Sequence, residues 1–208
     1  VNSNSTHNPL RAAWSLGDRF IIQYSGNFGI GHDVETIIGA MEALKNDDGI
    51  LWVIVGDGVM KPVIEAYVKE HQILNVVLKP YQPRETLGQL ISLGDMHLVL
   101  MVPGFEGIIL PSKLYGILAA GRPVVFVGPE KSEIARIIQE EDCGFVVVNG
   151  DSKDLVRIIT KLRNDSALTQ QLGNRGRVAL ESKYSMQQAC QSWHTMLHNV
   201  VESKEIKQ

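Results

Sequence analysis

At 208 residues, with 44% hydrophobic and 21% charged side chains, the chain has the make-up of a folded globular domain rather than a disordered or fibrous one. A formal net charge of −3 leaves no excess of positive charge to attract nucleic acid or an anionic membrane surface. No apolar run approaches the ~18 residues of a membrane span, and the two cysteines, Cys143 and Cys190, have no metal-binding spacing and read as reduced thiols of a cytoplasmic protein.

Val1 to Asn8 is polar and turn-forming and reads as a linker. Pro9 to Leu16 suits a short helix or turn, and Arg19 to Tyr24 a strand. Ser25 to Asp33 (SGNFGIGHD) is a glycine-rich loop, with Asp33 placed to cap the helix that follows. In Val34 to Leu44 the apolar residues Val34, Ile37, Ile38, Met41 and Leu44 recur at helical spacing. Ile50 to Val55 is an apolar strand ended by Gly56-Asp57-Gly58, and Met60 to Gln72 a helix.

The alternation continues with strand Val76 to Leu78, a Lys-Pro-Tyr turn, helix Arg84 to Leu93 and strand Met96 to Met101. A loop holding Glu106 and Gly107 leads to helix Ser112 to Ala120, closed by Gly121. Then come strand Val124 to Val127, helix Lys131 to Glu140 and strand Gly144 to Val148. Helices Ser152 to Asn164, Ser166 to Ser182 and Met186 to about Val201 follow, with a polar tail over 201–208.

Strands that are apolar throughout are strands covered by helices on both faces. The expected fold is therefore α/β: a doubly wound, mostly parallel, six-stranded Rossmann-like sheet with helices on both faces, forming one domain over 9–200. Ligands of such sheets bind beyond the carboxyl ends of the strands, where the strand order reverses. The loops to inspect are those at Gly26, Gly56, Pro80, Glu106 and Gly128.

In the first loop Gly26, Gly29 and Gly31 allow backbone N–H groups to approach an anion. They match neither the dinucleotide fingerprint nor a P-loop, so a plain tight turn capped by Asp33 stays open. His32 is placed to donate to a phosphate or a leaving oxygen, or simply to pack. Lys79 and Tyr81 flank Pro80 and could meet a phosphate and a base, or form a surface turn. Glu106 could accept hydrogen bonds from sugar hydroxyls. Ser112 and Lys113 occupy the first turn of a helix, where a cation is mildly unfavourable unless an anion binds. His194 and His198, four apart on the last helix, have no further ligand in sight and read as surface or packing residues.

Three pieces, YSGNFGIGHD after the first strand, VGDG after the second, and EGIILPSKLYGILAAGRPVV, carry a resemblance from about Asn8 to His198. They resemble the C-terminal, donor-binding domain of GT-B fold, nucleotide-sugar-dependent glycosyltransferases. The last piece is similar to a bacterial sub-group that makes exopolysaccharide and O-antigen. The resemblance implies that Glu106 binds donor sugar hydroxyls and that Gly107, Ile108 and Ile109 offer backbone N–H groups. It implies that Ser112 and Lys113 lie over the diphosphate and that Lys79 to Tyr81 border the base. Gly26, Asn27, Gly29, Gly31 and His32 would close over the diphosphate and reaction centre.

Two departures stand out. The second acid of the family's pair, which holds ribose, falls on Gly116, with two extra residues before it. Asn27 and His32 stand near positions where the family often carries Arg and Lys. The resemblance further implies glycosyl transfer with retention, no metal and no cofactor, and a UDP-sugar as donor. The acceptor would be a saccharide or lipid-linked, held by an N-terminal domain that this sequence does not supply. The chain, which starts at Val1, is thus expected to be the C-terminal half of a longer cytoplasmic enzyme, peripheral to the membrane, and inactive alone. A non-catalytic nucleotide-binding module and a sugar-nucleotide epimerase are the rival expectations.

Overall fold

Six strands, β1 (Phe20–Asn27), β2 (Ile50–Asp57), β3 (Val76–Lys79), β4 (Met96–Leu100), β5 (Val124–Val127) and β6 (Gly144–Val147), form one parallel sheet in the order β3-β2-β1-β4-β5-β6. The computed structural model describes residues 8–108 and 112–205. The helices are α1 (Pro9–Ala13), α2 (Val34–Ala43), α3 (Lys61–Glu70), α4 (Leu87–Leu93), α5 (Lys113–Ala119), α6 (Glu133–Glu141), α7 (Ser152–Asn164), α8 (Ser166–Ala179) and α9 (Met186–Glu205).

The sheet is covered on both faces because its strands are apolar on both. Ile22, Trp52 and Ile54 point to a core shared with α2 and α7, which supply Ile37, Met41, Leu155 and Ile158. The alternate residues Ile21, Leu51, Val53 and Val55 pack under α4, through Leu90 and Leu93, and against Leu16 just past α1. Val99, Val124 and Phe126 meet α5 and α6 through Leu114, Ile117, Ile134 and Ile138. One side chain per strand position on each face is the period of two that a β-strand imposes.

Several boundaries differ from the sequence reading. β1 extends through Asn27, so the first three residues of the supposed glycine-rich loop belong to the strand, held by β2 in the register Ser25↔Val55, Gly26↔Gly56 and Asn27↔Asp57. Asn8 is not linker: it is buried, its side chain accepts from Leu10 N–H to cap α1, and it donates to the Gln89 carbonyl and Ser92 hydroxyl of α4. Residues 1–7 lie outside the described part. The last helix continues through Glu205 rather than ending near Val201, after a single π-type turn over Leu180–Tyr184. Trp193, Leu197 and Val201, four apart on α9, are exposed.

β1 pairs with β2 along eight positions but with β4 at only two, Ile22↔Met96 and Gln23↔His97. Beyond Gln23 the two central strands part. This is the point where the strand order reverses, the place where sheets of this kind bind ligands.

Candidate functional site

The parting of β1 and β4 opens a cleft of about 470 Å³ between the C-terminal ends of the strands and helices α4 and α5. Its polar side is made by Ser25, Gly26, Asn27, His32, Ser112 and Lys113. Its apolar side is made by Leu87 and Ile91 of α4, Leu98 of β4, and Gly116 and Ile117 of α5, with His97 between them.

Lys113 dominates the polar side. It opens α5 and is largely buried, and its Nζ donates to the Tyr24 hydroxyl at 2.6 Å while lying 3.9 Å from the Tyr24 ring centroid. Tyr24 in turn donates to the Asn27 carbonyl at 2.8 Å, and its ring packs on Phe28. Burial pushes the Lys113 ammonium down to about 7. Burial also raises Tyr24 far above its ordinary value, helped by Tyr81 nearby, so its hydroxyl stays neutral. A buried cation held by a neutral hydroxyl, with no carboxylate paired to it among the described residues, is a poorly satisfied charge.

Gly26 permits this arrangement. Its φ is +143°, and a Cβ there would stand 3.2 Å from Lys113 Nζ. The loops after β1 and β2 also meet backbone to backbone. A Cβ on Gly56 (φ +134°) would strike the Gly26 carbonyl oxygen, and one on Gly58 would come within 2.5 Å of the Phe28 carbonyl oxygen. Phe28 N–H donates to the Asp57 carbonyl and Met60 N–H to the Phe28 carbonyl. The Gly-Asp-Gly turn therefore shapes the first loop from behind.

His32 sits half-buried in the cleft, edge-on to Tyr24 with ring centroids 6.0 Å apart. Its Nδ1 accepts from Gly29 N–H at 3.1 Å. Burial, and then the Lys113 charge, lower its pKa, so it is neutral near pH 7. Asp33 caps α2 through Thr36 N–H and accepts from Asn149, which also donates to the Met101 carbonyl. Gly31 takes Val102 N–H on its carbonyl. The loop is thus tied to the end of β4.

The remaining candidates lie elsewhere. Glu106 stands on the exposed loop after β4, where its carboxylate accepts from Gly104 N–H at 2.7 Å. Gly107 (φ +79°) and Ile108 follow on the same exposed stretch, and Ile109 falls outside the described residues. Lys79 ends β3 with its Nζ 5.3 Å from the centroid of the Trp14 ring, and Tyr81 is exposed just beyond. Among the described residues that line the cleft, Gly26, Asn27, His32, Ser112 and Lys113 come together. Ser112 makes no side-chain capping bond to α5. His194 and His198 stay on exposed α9, ring centroids 6.1 Å apart.

Sequence reasoning missed Tyr24 and His97. His97 had a signal, as the one polar residue of the apolar strand β4, whereas Tyr24 stands beside Gln23 and Ser25 in β1 and had none as clear. His97 is fully buried, its Nε2 donates to the Ile91 carbonyl at 2.7 Å, and burial lowers its pKa to about 4. It is a neutral strut between β4 and α4.

Comparison with known proteins gives the family and the fold. The sequence model described as glycosyl transferases group 1 matches residues 9–179. The chain belongs to the group 1 glycosyl transferases. A relative in Escherichia coli (strain K12), the glycosyl transferase WcaI, named for colanic acid biosynthesis, is 34% identical over 131 residues. That match covers 62% of this glycosyl transferase chain and 32% of WcaI, so the chain spans about a third of that relative. The crystal structure of Anabaena HepE in complex with UDP superposes with a TM-score of 0.80 at 15% identity, covering 95% of this chain and 54% of HepE. The C-terminal domain of a Francisella tularensis glycosyl transferase group 1 family protein, LpcC, superposes at 0.66 with 17% identity over 82% of this chain and 88% of that domain. No helix among the described residues is long and apolar enough to cross a membrane.

Proposed function

We propose that this chain is the donor-binding half of a glycosyltransferase that takes a nucleotide-diphospho-sugar, with UDP-sugar as the expected donor. The glycosyl group would pass to a saccharide or lipid-linked acceptor in polysaccharide or lipopolysaccharide biosynthesis. Lys113 carries the reading. A largely buried ammonium whose partner among the described residues is a hydroxyl, set against a glycine in a cleft at the strand-order reversal, is a ready counter-charge for a diphosphate. Family membership and a shared fold with a UDP-bound protein support the same conclusion.

In this reading the leaving diphosphate gathers negative charge as the glycosidic bond breaks, and Lys113 stabilises it where the charge develops. Asn27 and the backbone at Gly26, Gly29 and Gly31 close over the phosphates, with His32 as a neutral donor to the leaving oxygen. Ser112 adds a hydroxyl. Glu106, with the backbone of Gly107 to Ile109, holds the transferred sugar in place. Lys79 and Tyr81 border the base. Transfer proceeds with retention and without a metal or cofactor. The acceptor is bound by a further domain, for which the exposed Trp193, Leu197 and Val201 of α9 offer an apolar surface. The whole enzyme works in the cytoplasm, at the inner face of the membrane.

Calorimetric titration with UDP, GDP, ADP and their sugars tests the proposal. Saturable binding of a nucleoside diphosphate, expected for UDP, supports it. No binding of any of them at millimolar concentration, where roughly −4 kcal/mol would already register, removes it.

A further inference from the structure

The turn between β6 and α7, residues 148–151, lies outside the cleft, yet one of its side chains reaches two of the segments that shape it. Asn149 Nδ2 donates to the Asp33 carboxylate at 2.7 Å and to the Met101 carbonyl at 2.8 Å. Asp33 is buried and follows His32 directly in the chain. Met101 follows the last residue of β4, and the next residue, Val102, donates its N–H to the Gly31 carbonyl at 2.9 Å. The β1–β4 ladder has ended by then, its last pair being Gln23↔His97. Past that pair, the Val102–Gly31 bond and the Asn149 bridge tie the first loop to the end of β4.

The bridging amide is delivered on a fixed backbone. Gly150 N–H donates to Thr36 Oγ1 at 2.8 Å, and Ser152 Oγ donates to the Thr36 carbonyl at 2.9 Å. A Cβ on Gly39 would stand 2.4 Å from Ser152 Oγ, so α2 and the start of α7 are in close contact. Asp33 does not need Asn149 in order to cap α2. Its Oδ1 accepts from Thr36 N–H at 3.0 Å and its Oδ2 from Thr36 Oγ1 at 2.6 Å. The Asn149 bond adds something else: it sets where the start of α2, and with it His32, stands relative to β4. An amide donating to a carboxylate makes one of the stronger hydrogen bonds, and this one spans 116 residues.

We propose that Asn149 is a positioning residue of the donor site. It touches no ligand itself. It holds the loop carrying Gly29, Gly31 and His32 against the end of β4, so that the loop is in place before a ligand arrives and no binding energy goes into ordering it. The proposal rests on the nucleotide reading above, in which this loop closes over the diphosphate.

Three variants test it: Asn149→Ala, Asn149→Asp and Ser152→Ala. Asn149→Asp keeps the shape of the side chain and replaces its N–H donor with an acceptor that faces Asp33. Ser152→Ala removes a bond between the same turn and α2 but leaves the bridge to Asp33 and Met101 intact. Each is titrated with UDP, its thermal unfolding is followed, and the His32 ring resonances are recorded by NMR. Both Asn149 variants are expected to bind UDP about fivefold or more weakly than the unaltered chain and to shift the His32 resonances. Ser152→Ala is expected to lose stability while its UDP affinity stays within about twofold and its His32 resonances stay in place. UDP affinity within twofold of the unaltered chain in both Asn149 variants would overturn the proposal and leave the nucleotide reading standing. Equal weakening in Ser152→Ala would also overturn it, by showing that any loosening of the turn has the same effect. Failure of the unaltered chain to bind UDP at millimolar concentration would remove the nucleotide reading, and this proposal with it.

Discussion

Lys113 Nζ donates to the Tyr24 hydroxyl at 2.6 Å, across 89 residues of sequence, and this bond sets the polarity of the cleft. The strand supplies a neutral, buried acceptor, and the helix supplies the charge. Tyr24 can hold the ammonium in place without neutralising it, because burial keeps the phenol protonated. A carboxylate in the same place would have formed an ion pair and quenched the attraction for an anion.

Removing only the hydroxyl separates positioning from packing. Tyr24→Phe keeps the ring that packs on Phe28 but leaves Lys113 without its acceptor and the Asn27 carbonyl without its donor. A destabilisation of about 1–3 kcal/mol is expected for such a change. If Tyr24 positions Lys113 for phosphate, UDP affinity also falls severalfold. A drop in melting temperature with affinity unchanged would reduce Tyr24 to a structural role.

The pH dependence of binding follows from the same pair. In the free protein Lys113 titrates at about 7, and an adjacent diphosphate raises that value by favouring the cation. Binding then takes up a proton, and affinity falls as pH rises above about 7, by up to tenfold per unit until the bound-state pKa is reached. His32, held neutral by burial and by Lys113, shifts in the same direction when an anion arrives. Titrations at pH 6 and pH 9 in buffers of different ionisation enthalpy should show weaker binding at pH 9. They should also show a net proton taken up near pH 7.5.

For stability the sign is opposite to that of an ion pair. The folded-state pKa of Lys113 lies below its unfolded value of 10.5, so the folded chain binds the proton less readily. The resulting destabilisation is complete below about pH 7 and is relieved as pH rises towards 10.5. Lys113→Met keeps a long apolar side chain and removes the charge. It is expected to abolish UDP binding yet raise the melting temperature at pH 6, at about 2–4 °C per kcal/mol relieved for a chain of this size. The gain should vanish near pH 10.5. Thermal unfolding of both proteins at the two pH values checks this, and a loss of stability at pH 6 would show that the lysine is well solvated.

The glycine pair behind the loop should be unequal in its tolerance. Gly26→Ala meets the mobile end of Lys113 and a positive φ, and is expected to cost about 1–3 kcal/mol. Gly56→Ala drives a Cβ into the Gly26 carbonyl, which is backbone held in the β1–β2 ladder and cannot move aside. Urea denaturation should show a clearly larger loss for Gly56→Ala than for Gly26→Ala, or no folded protein at all.

Glu106 is exposed and bound only to its own loop, so its replacement should leave the fold unchanged. Glu106→Ala is expected to weaken UDP-sugar binding about tenfold, the worth of one charge-assisted hydrogen bond, with bare UDP little affected. Equal loss for UDP and UDP-sugar would place this carboxylate on the nucleotide instead.

What the sequence determines by itself is the architecture and the loops at which a candidate site would lie. Apolar strands such as ILWVIV must be covered on both faces, and their regular alternation with helices leaves a doubly wound sheet as the arrangement that buries them. The glycines after β1, the cap at Asp33 and the lysine opening α5 are local signals, each tied to backbone conformation or helix position within a few residues. Tertiary structure decided what those residues face. That Gly26 makes room for Lys113, that Gly56 lies against Gly26, that the buried Tyr24 holds Lys113, and that His97 lines the cleft follow from strand register and from where β1 and β4 part. The same holds for Gly116, which reads as a missing acid in the sequence and is the point of close approach between α4 and α5 in the fold. Contacts of this kind join residues far apart in the chain. Local propensity does not encode them, since their energies exist only once the sheet has brought the partners within van der Waals reach.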